Sequence, residues 1–137
     1  MTATMTVSVQ SSIAPSVFVV DDEPEMRMLA RVFLERGGFN VVTEAEDGPQ
    51  ALERFYELNP PPIPAIVLLD NRMPGLTGLE VAERMLAEHP TQVIVLFSAH
   101  LDPAVEAKAR EIGIAKCVSK MEASKLAPII RALLPLQ

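Results

Sequence analysis

A chain of 137 residues has room for one folded domain, which excludes a second module of ordinary size. With 49% hydrophobic and 22% charged residues it can bury a core, which excludes a disordered tail, and a net charge of −6 argues against a direct nucleic-acid partner. The single cysteine, Cys117, excludes an intramolecular disulfide, and the longest apolar runs, 65–69 and 93–97, fall far short of the ~18 residues of a membrane span.

Residues 1–15 are polar, without a basic start or a continuous apolar stretch, so they read as a flexible leader and not a secretion signal. One domain is expected over 16–137, in the cytoplasm. The first strand is the β-branched run Val17 to Val20. Similar runs follow at Val41-Val42, Ala65 to Leu69, Val93 to Phe97 and Ala115 to Val118. Continuous apolar character, unlike alternation, fits strands covered on both faces, as in a parallel sheet between helix layers.

Helical periods lie between these runs. Met26, Leu29, Ala30, Phe33 and Leu34 share one face, with Arg27, Arg31 and Glu35 expected outward and Gly37-Gly38 as the stop. Shorter patterns cover Ala51-Leu52-Phe55 and Leu79-Ala82-Leu86. Asp102-Pro103 opens a helix using Val105, Ala109 and Ile112. Leu126, Ile129, Ile130, Leu133 and Leu134 predict a last helix with Pro128 in its first turn, and the prolines of 60–64 an extended connector. Five β-α units with right-handed crossovers make a three-layer α/β sandwich.

In such sheets ligands bind beyond the carboxyl ends of the strands, so the residues after each apolar run carry the chemistry. They are Asp21-Asp22-Glu23, Asp70, Ser98 and Ser119-Lys120. In strand order 2-1-3-4-5, Asp21, Asp22 and Asp70 converge, and two carboxylates about 5 Å apart repel by roughly 3 kcal/mol at an effective dielectric of ~20. A cation must compensate. Oxygen donors without a suitably placed His or Cys favour Mg²⁺, or Mn²⁺ in its place. Taken singly each residue has a plainer reading: Asp22 as a helix cap, Asp70 as a turn former, Ser98 as structural, Lys120 as a solvated charge. Their coincidence at one sheet edge argues for a shared site.

The stretch Leu68-Leu69-Asp70-Asn71-Arg72-Met73-Pro74-Gly75-Leu76-Thr77-Gly78, with Val19-Val20-Asp21-Asp22-Glu23, Ser98-Ala99 and Lys120 in order, resembles the receiver domain of bacterial two-component response regulators over about 16–134. The resemblance implies a flavodoxin-like fold of five parallel strands and five helices. It implies that Asp70 accepts a phosphoryl group from a sensor histidine kinase or phosphotransfer protein. Asp22, Asp70 and the backbone carbonyl of Arg72 would ligate Mg²⁺, with Asp21 acting through water, and Ser98 and Lys120 would neutralise the phosphoryl oxygens. Such a chain is not an enzyme in the usual sense, though it assists its own phosphorylation and dephosphorylation. With no output module after Gln137, a stand-alone regulator resembling the chemotaxis regulators is expected. It would dock through the last two helices and the fifth strand, including Lys108, Arg110, Lys116 and Arg131.

Two positions depart from the family pattern. Cys117 stands where an aromatic usually swings inward, and is read as a small strand hydrophobe before a redox group. Met121 replaces the proline that usually follows the lysine. A cis Lys120-Met121 bond would cost about 2.5–4 kcal/mol, so a trans bond is expected, with room for a displaced lysine. Arg72 and His100 stand where side chains tune phosphoryl lifetime. An aspartyl phosphohydrolase would want a second acid at Arg72, and a dinucleotide module would want glycines at Asp21-Asp22-Glu23. The remaining alternative is a pseudo-receiver, a phosphorylation-independent protein-binding module of the same fold.

Overall fold

A computed structural model describes residues 14–58 and 63–135; most of the expected leader and the first prolines of the connector lie outside them. The elements alternate as β1 (Ser16–Val20), α1 (Pro24–Arg36), β2 (Asn40–Ala45), α2 (Gly48–Glu57), β3 (Ile66–Leu69), α3 (Gly78–Glu88), β4 (Val93–Ser98), α4 (Pro103–Ile112) and β5 (Lys116–Ser119). A 3₁₀ helix (Lys120–Lys125) and α5 (Leu126–Arg131) follow. The five strands are parallel, in order β2-β1-β3-β4-β5, as the β-α rhythm predicts.

Alternate residues of each central strand enter opposite layers. Val17, Val19, Ile66, Leu68, Val95 and Phe97 pack with Ala30 and Leu34 of α1 and Leu126 and Ile130 of α5. Phe18, Val20, Val67, Leu69, Ile94 and Leu96 pack with Ala51 and Phe55 of α2, Val81 and Met85 of α3 and Ala109 of α4. Residues Ile66 to Leu69 are all at most 1% exposed, which explains the unbroken apolar run. The edge strand β2 differs: its register to β1 jumps from Val41 to Thr43, a bulge that leaves Val42 exposed.

Polar residues set the helix starts. Asp47 and Asp102 accept from Gln50 N and Val105 N, and Pro103 follows Asp102 into the first turn of α4. Thr77 and Glu80 form a reciprocal capping box at α3, Thr77 Oγ1 accepting from Glu80 N while Glu80 Oε1 accepts from Thr77 N. Thr77→Ala is expected to cost about 1 kcal/mol, read as a lower urea midpoint with unchanged slope.

Two helices depart from their predicted periods. On α1, Leu29 is 39% exposed beside exposed Met28 and Val32, so Ala30 and Leu34 carry the buried stripe. The last helix is preceded by the 3₁₀ segment, in which Glu122 is non-helical, and α5 ends at Arg131, before Leu133 and Leu134 of the predicted period. Pro128 falls in the first turn of α5, as expected. No described helix is long and apolar enough to cross a membrane.

Candidate functional site

Four polar or charged side chains are buried among the described residues, Asp21, Asp70, Gln92 and Ser98, and three of these stand at the carboxyl edge of the sheet. The strand ladders run past the strands to fix two of them. Asp21 N–H donates to the Ala45 carbonyl at 3.1 Å and Asp70 N–H to the Val20 carbonyl at 2.9 Å. One carboxylate oxygen each of Asp21, Asp22 and Asp70 lies within 4.8 Å of the others, as the predicted strand order requires. Asp22 is the exposed member. It does not cap α1: the cap position is Glu23, and Asp21 Oδ1 accepts from Glu23 N at 2.9 Å.

Lys120 enters this cluster from the start of the 3₁₀ helix. Its Nζ lies 2.8 Å from Asp21 Oδ2 and 3.3 Å from both Asp70 Oδ2 and Glu23 Oε1, with the side chain 9% exposed. The displaced lysine allowed for above is therefore not found. Ser119 Oγ accepts from Met121 N at 3.1 Å and starts the turn that returns Lys120 to the sheet edge. Met121 itself is 93% exposed.

Burial pushes the Asp70 carboxyl above its usual pKa and the Asp21 charge adds to this, while Lys120 pulls it back. Burial also pulls the Lys120 ammonium down, but its contacts with Asp21 and Asp70 outweigh that, leaving it above its ordinary value. One ammonium thus holds buried carboxylates that repel each other. All three acids offer oxygen only, the donor set of a small hard cation. Octahedral ligands at about 2.1 Å from Mg²⁺ lie about 3–4 Å apart, so small side-chain rotations would gather these oxygens around one ion.

A cleft of about 250 Å³ opens over the cluster, lined by Asp22, Glu23, Asp70, Arg72, Ser98, Ala99, His100 and Lys120. Sequence reasoning thus placed Arg72, Ser98 and His100 at the right edge. The Ser98 hydroxyl accepts from His100 N at 3.2 Å, so it is held by its own loop. Cys117 lies outside the cleft, half-buried above a second cavity of about 280 Å³ with Glu106, Arg110 and Lys116. Burial, then the Glu106 charge, raise the Cys117 thiol pKa, which fits a small hydrophobe and opposes a reactive thiolate.

Other contributors escaped the sequence reading. Asn71 accepts from Leu79 N through Oδ1 and from Gly78 N through its carbonyl, which clamps the turn after Asp70 to α3. Gly78 permits that approach, since a Cβ there would lie 2.2 Å from the Asp70 carbonyl oxygen. Glu23 joins the lysine cage. Arg27 and Arg31, expected to face solvent, reach Glu44 on β2. Arg131 leaves the expected docking surface: it sits 4.6 Å over the Phe39 ring and donates to the Gly37 carbonyl. An aromatic face beside a free carbonyl is a better partner for a guanidinium than open solvent.

Comparison with known proteins agrees with this geometry. The family model described as the response regulator receiver domain matches residues 17–131, and the chain belongs to that family. The probable transcriptional regulatory protein NarL of Mycobacterium tuberculosis is 42% identical over 101 residues, covering 72% of this chain and 44% of that protein. A protein-glutamate methylesterase/protein-glutamine glutaminase of Hahella chejuensis is 36% identical over 84 residues, covering 61% of this chain and 23% of that protein. The chain thus spans less than half the length of either curated relative. Among solved structures, the receiver domain of the putative response regulator NarL from M. tuberculosis superposes with a TM-score of 0.74 at 33% identity, covering 87% of this chain and 97% of that one. A chain of the CheX–CheY–BeF₃–Mg²⁺ complex of Borrelia burgdorferi gives 0.83 at 19% identity, covering 93% and 95%, and supports the fold.

Proposed function

We propose that this chain is a phosphoacceptor receiver, taking a phosphoryl group on Asp70 from the phosphohistidine of a sensor kinase or phosphotransfer protein. The observation that carries the reading is the placement of Lys120 Nζ between buried Asp21 and Asp70, under a cleft that gives solvent and donor access. In the transfer, an Asp70 carboxylate oxygen forms a bond to phosphorus as the P–N bond of the donor breaks. The imidazole leaves with a proton from solvent. Hydrolysis reverses the gain: water attacks phosphorus and the carboxylate is regenerated.

Such transfers depend mainly on positioning and on neutralising the equatorial oxygens. Lys120 supplies one charge-assisted donor. Ser98 supplies a hydroxyl whose proton is free to donate, since its bond with His100 N uses the oxygen as acceptor. Asp22, Asp70 and the Arg72 carbonyl, with Asp21 through water, would hold Mg²⁺, and the ion would supply positive charge to the phosphoryl group. Arg72 and His100, on the cleft rim, set the access of attacking water and so the lifetime of the phosphoryl group.

Phosphorylation adds nearly a second negative charge at Asp70, which draws Ser98 and its loop inward and remodels the α4–β5 side. That face docks a protein target in the cytoplasm or leads to relay of the phosphate. Incubation with a small acyl phosphate is expected to add one phosphoryl mass to the wild type only with Mg²⁺ or Mn²⁺, and none to Asp70→Asn, by intact-mass spectrometry. A wild type that gains no mass with the metal overturns the reading in favour of a phosphorylation-independent binding module.

A further inference from the structure

Two of the three clustered carboxylates are anchored through their own oxygens or their strand ladder, and the third is not. Asp21 holds Lys120 and the Glu23 N–H. Asp70 holds Lys120, and its N–H is in the ladder. Asp22 is exposed, so the aim of its carboxylate depends on its backbone. That backbone begins at the Asp21 carbonyl, whose peptide plane leads into Asp22.

The Asp21 carbonyl is gripped from the side. Arg27, one turn into α1, donates Nη1 to it at 2.6 Å, while its Nε lies 3.4 Å from Glu44 Oε1 on β2. The other Glu44 oxygen accepts from Arg31 Nε at 2.9 Å, which fixes the carboxylate from a second residue of the same helix. The next residue on β2, Ala45, supplies the carbonyl that takes the Asp21 N–H. The Asp21 amide is therefore held directly by the end of β2, and its carbonyl by Arg27, which Glu44 of β2 fixes. The Arg27 side chain is 18% exposed and makes both contacts with a planar fork that an ammonium lacks.

We propose that Arg27, fixed by Glu44, is a positioning residue for the cation site: it orients the Asp21–Asp22 peptide so that Asp22 faces Asp70. The inference rests on the cation-assisted reading above and adds a residue outside the cleft to its machinery. It makes a prediction opposite in sign to simple electrostatics. A guanidinium near three acids repels an incoming divalent cation, so as a bare charge its removal should tighten binding. As a positioning group its removal should weaken binding, as loss of outer contacts to metal ligands commonly does by about tenfold or more.

The test is isothermal titration of Mg²⁺ into wild type, Arg27→Gln, Arg27→Lys and Glu44→Gln, with Arg36→Gln as a charge control at the far end of α1. The Kd is expected to rise about tenfold in Arg27→Gln and to rise also in Arg27→Lys and Glu44→Gln. It should stay within about twofold in Arg36→Gln, and the losses should persist at 0.5 M KCl, where long-range charge effects are screened. Far-UV circular dichroism and urea midpoints accompany each variant, and Arg27→Lys, which keeps the charge, decides the matter if Arg27→Gln folds poorly. Unchanged or tighter Mg²⁺ binding in the folded arginine variants overturns the inference while leaving the phosphoacceptor reading standing. A wild type without saturable Mg²⁺ binding overturns both.

Discussion

Lys120→Met is expected to destabilise the fold by about 3–5 kcal/mol at pH 7, the cost of removing one partner from a buried ion cluster. The ammonium is nearly enclosed, and the carboxylates it contacts at Asp21 and Asp70 are only 4% and 5% exposed. Methionine keeps the bulk of the side chain but leaves two desolvated like charges without a counter-ion. Glu23, 57% exposed, contributes little, because its contact lies in solvent. Two conditions should relieve the loss. Acidification protonates Asp70, whose pKa burial and Asp21 already raise, and Mg²⁺ replaces part of the missing charge. The wild type has its own signature. Since the Lys120 pKa is raised on folding, the stability it contributes is complete below the free-lysine value of about 10.4 and is lost as pH rises through the folded value. Urea denaturation at pH 5, 7 and 10.5 reads all of this, and a loss below about 1 kcal/mol at pH 7 would show that solvent screens the cluster.

How far the sequence discloses this arrangement depends on whether a signal is local. Ile66 to Leu69 is apolar because both faces are covered, and Asp70 is conspicuous because it ends that run at a fixed edge of the sheet. The same holds for Asp21 after β1 and Ser98 at the end of β4. Once the strand order is assumed, their convergence follows from the geometry of parallel strands. Arg27 shows the limit. Its place in the helical period turns it from the α1 core, but the end of β2 stands on that side, and a period cannot say what lies across a gap. Glu44, Asn71 and Gly78 also act through contacts between segments. The close approach at Gly78, for instance, is to the backbone of Asp70, eight residues away in sequence. The last helix misleads for another reason: the spacing from Leu126 to Leu134 survives in the sequence, but α5 stops at Arg131 and the leucines beyond reach the core from a turn.

Asp70→Asn should be more stable than the wild type at pH 7 without divalent cations, although it removes the proposed phosphoacceptor. The ionised carboxylate is desolvated and sits beside Asp21, and these two effects together outweigh the attraction of the shared Lys120, which leaves the Asp70 pKa raised. The sign follows from its raised pKa: the folded state binds the proton more tightly than the unfolded chain. The Asp70 contribution is therefore most favourable below the free-aspartate value of about 3.9, falls as pH rises through the folded value, and is a constant penalty above it. The gap in melting temperature between variant and wild type should accordingly close toward acid pH. Millimolar Mg²⁺ should close it from the other side, raising the wild type more than the variant, because only the wild type has the full set of charged oxygens for the ion. Thermal melts across pH 4–8, with EDTA or Mg²⁺, separate these effects, and a variant no more stable than wild type at pH 7 in EDTA would show that Lys120 fully neutralises the pair. On the proposed reading, the burial and repulsion that weaken the fold are the same properties that would make the edge receptive to a cation and leave one carboxylate ready for phosphorus, so stability and the proposed phosphoryl acceptance at Asp70 would be opposed by the same electrostatics.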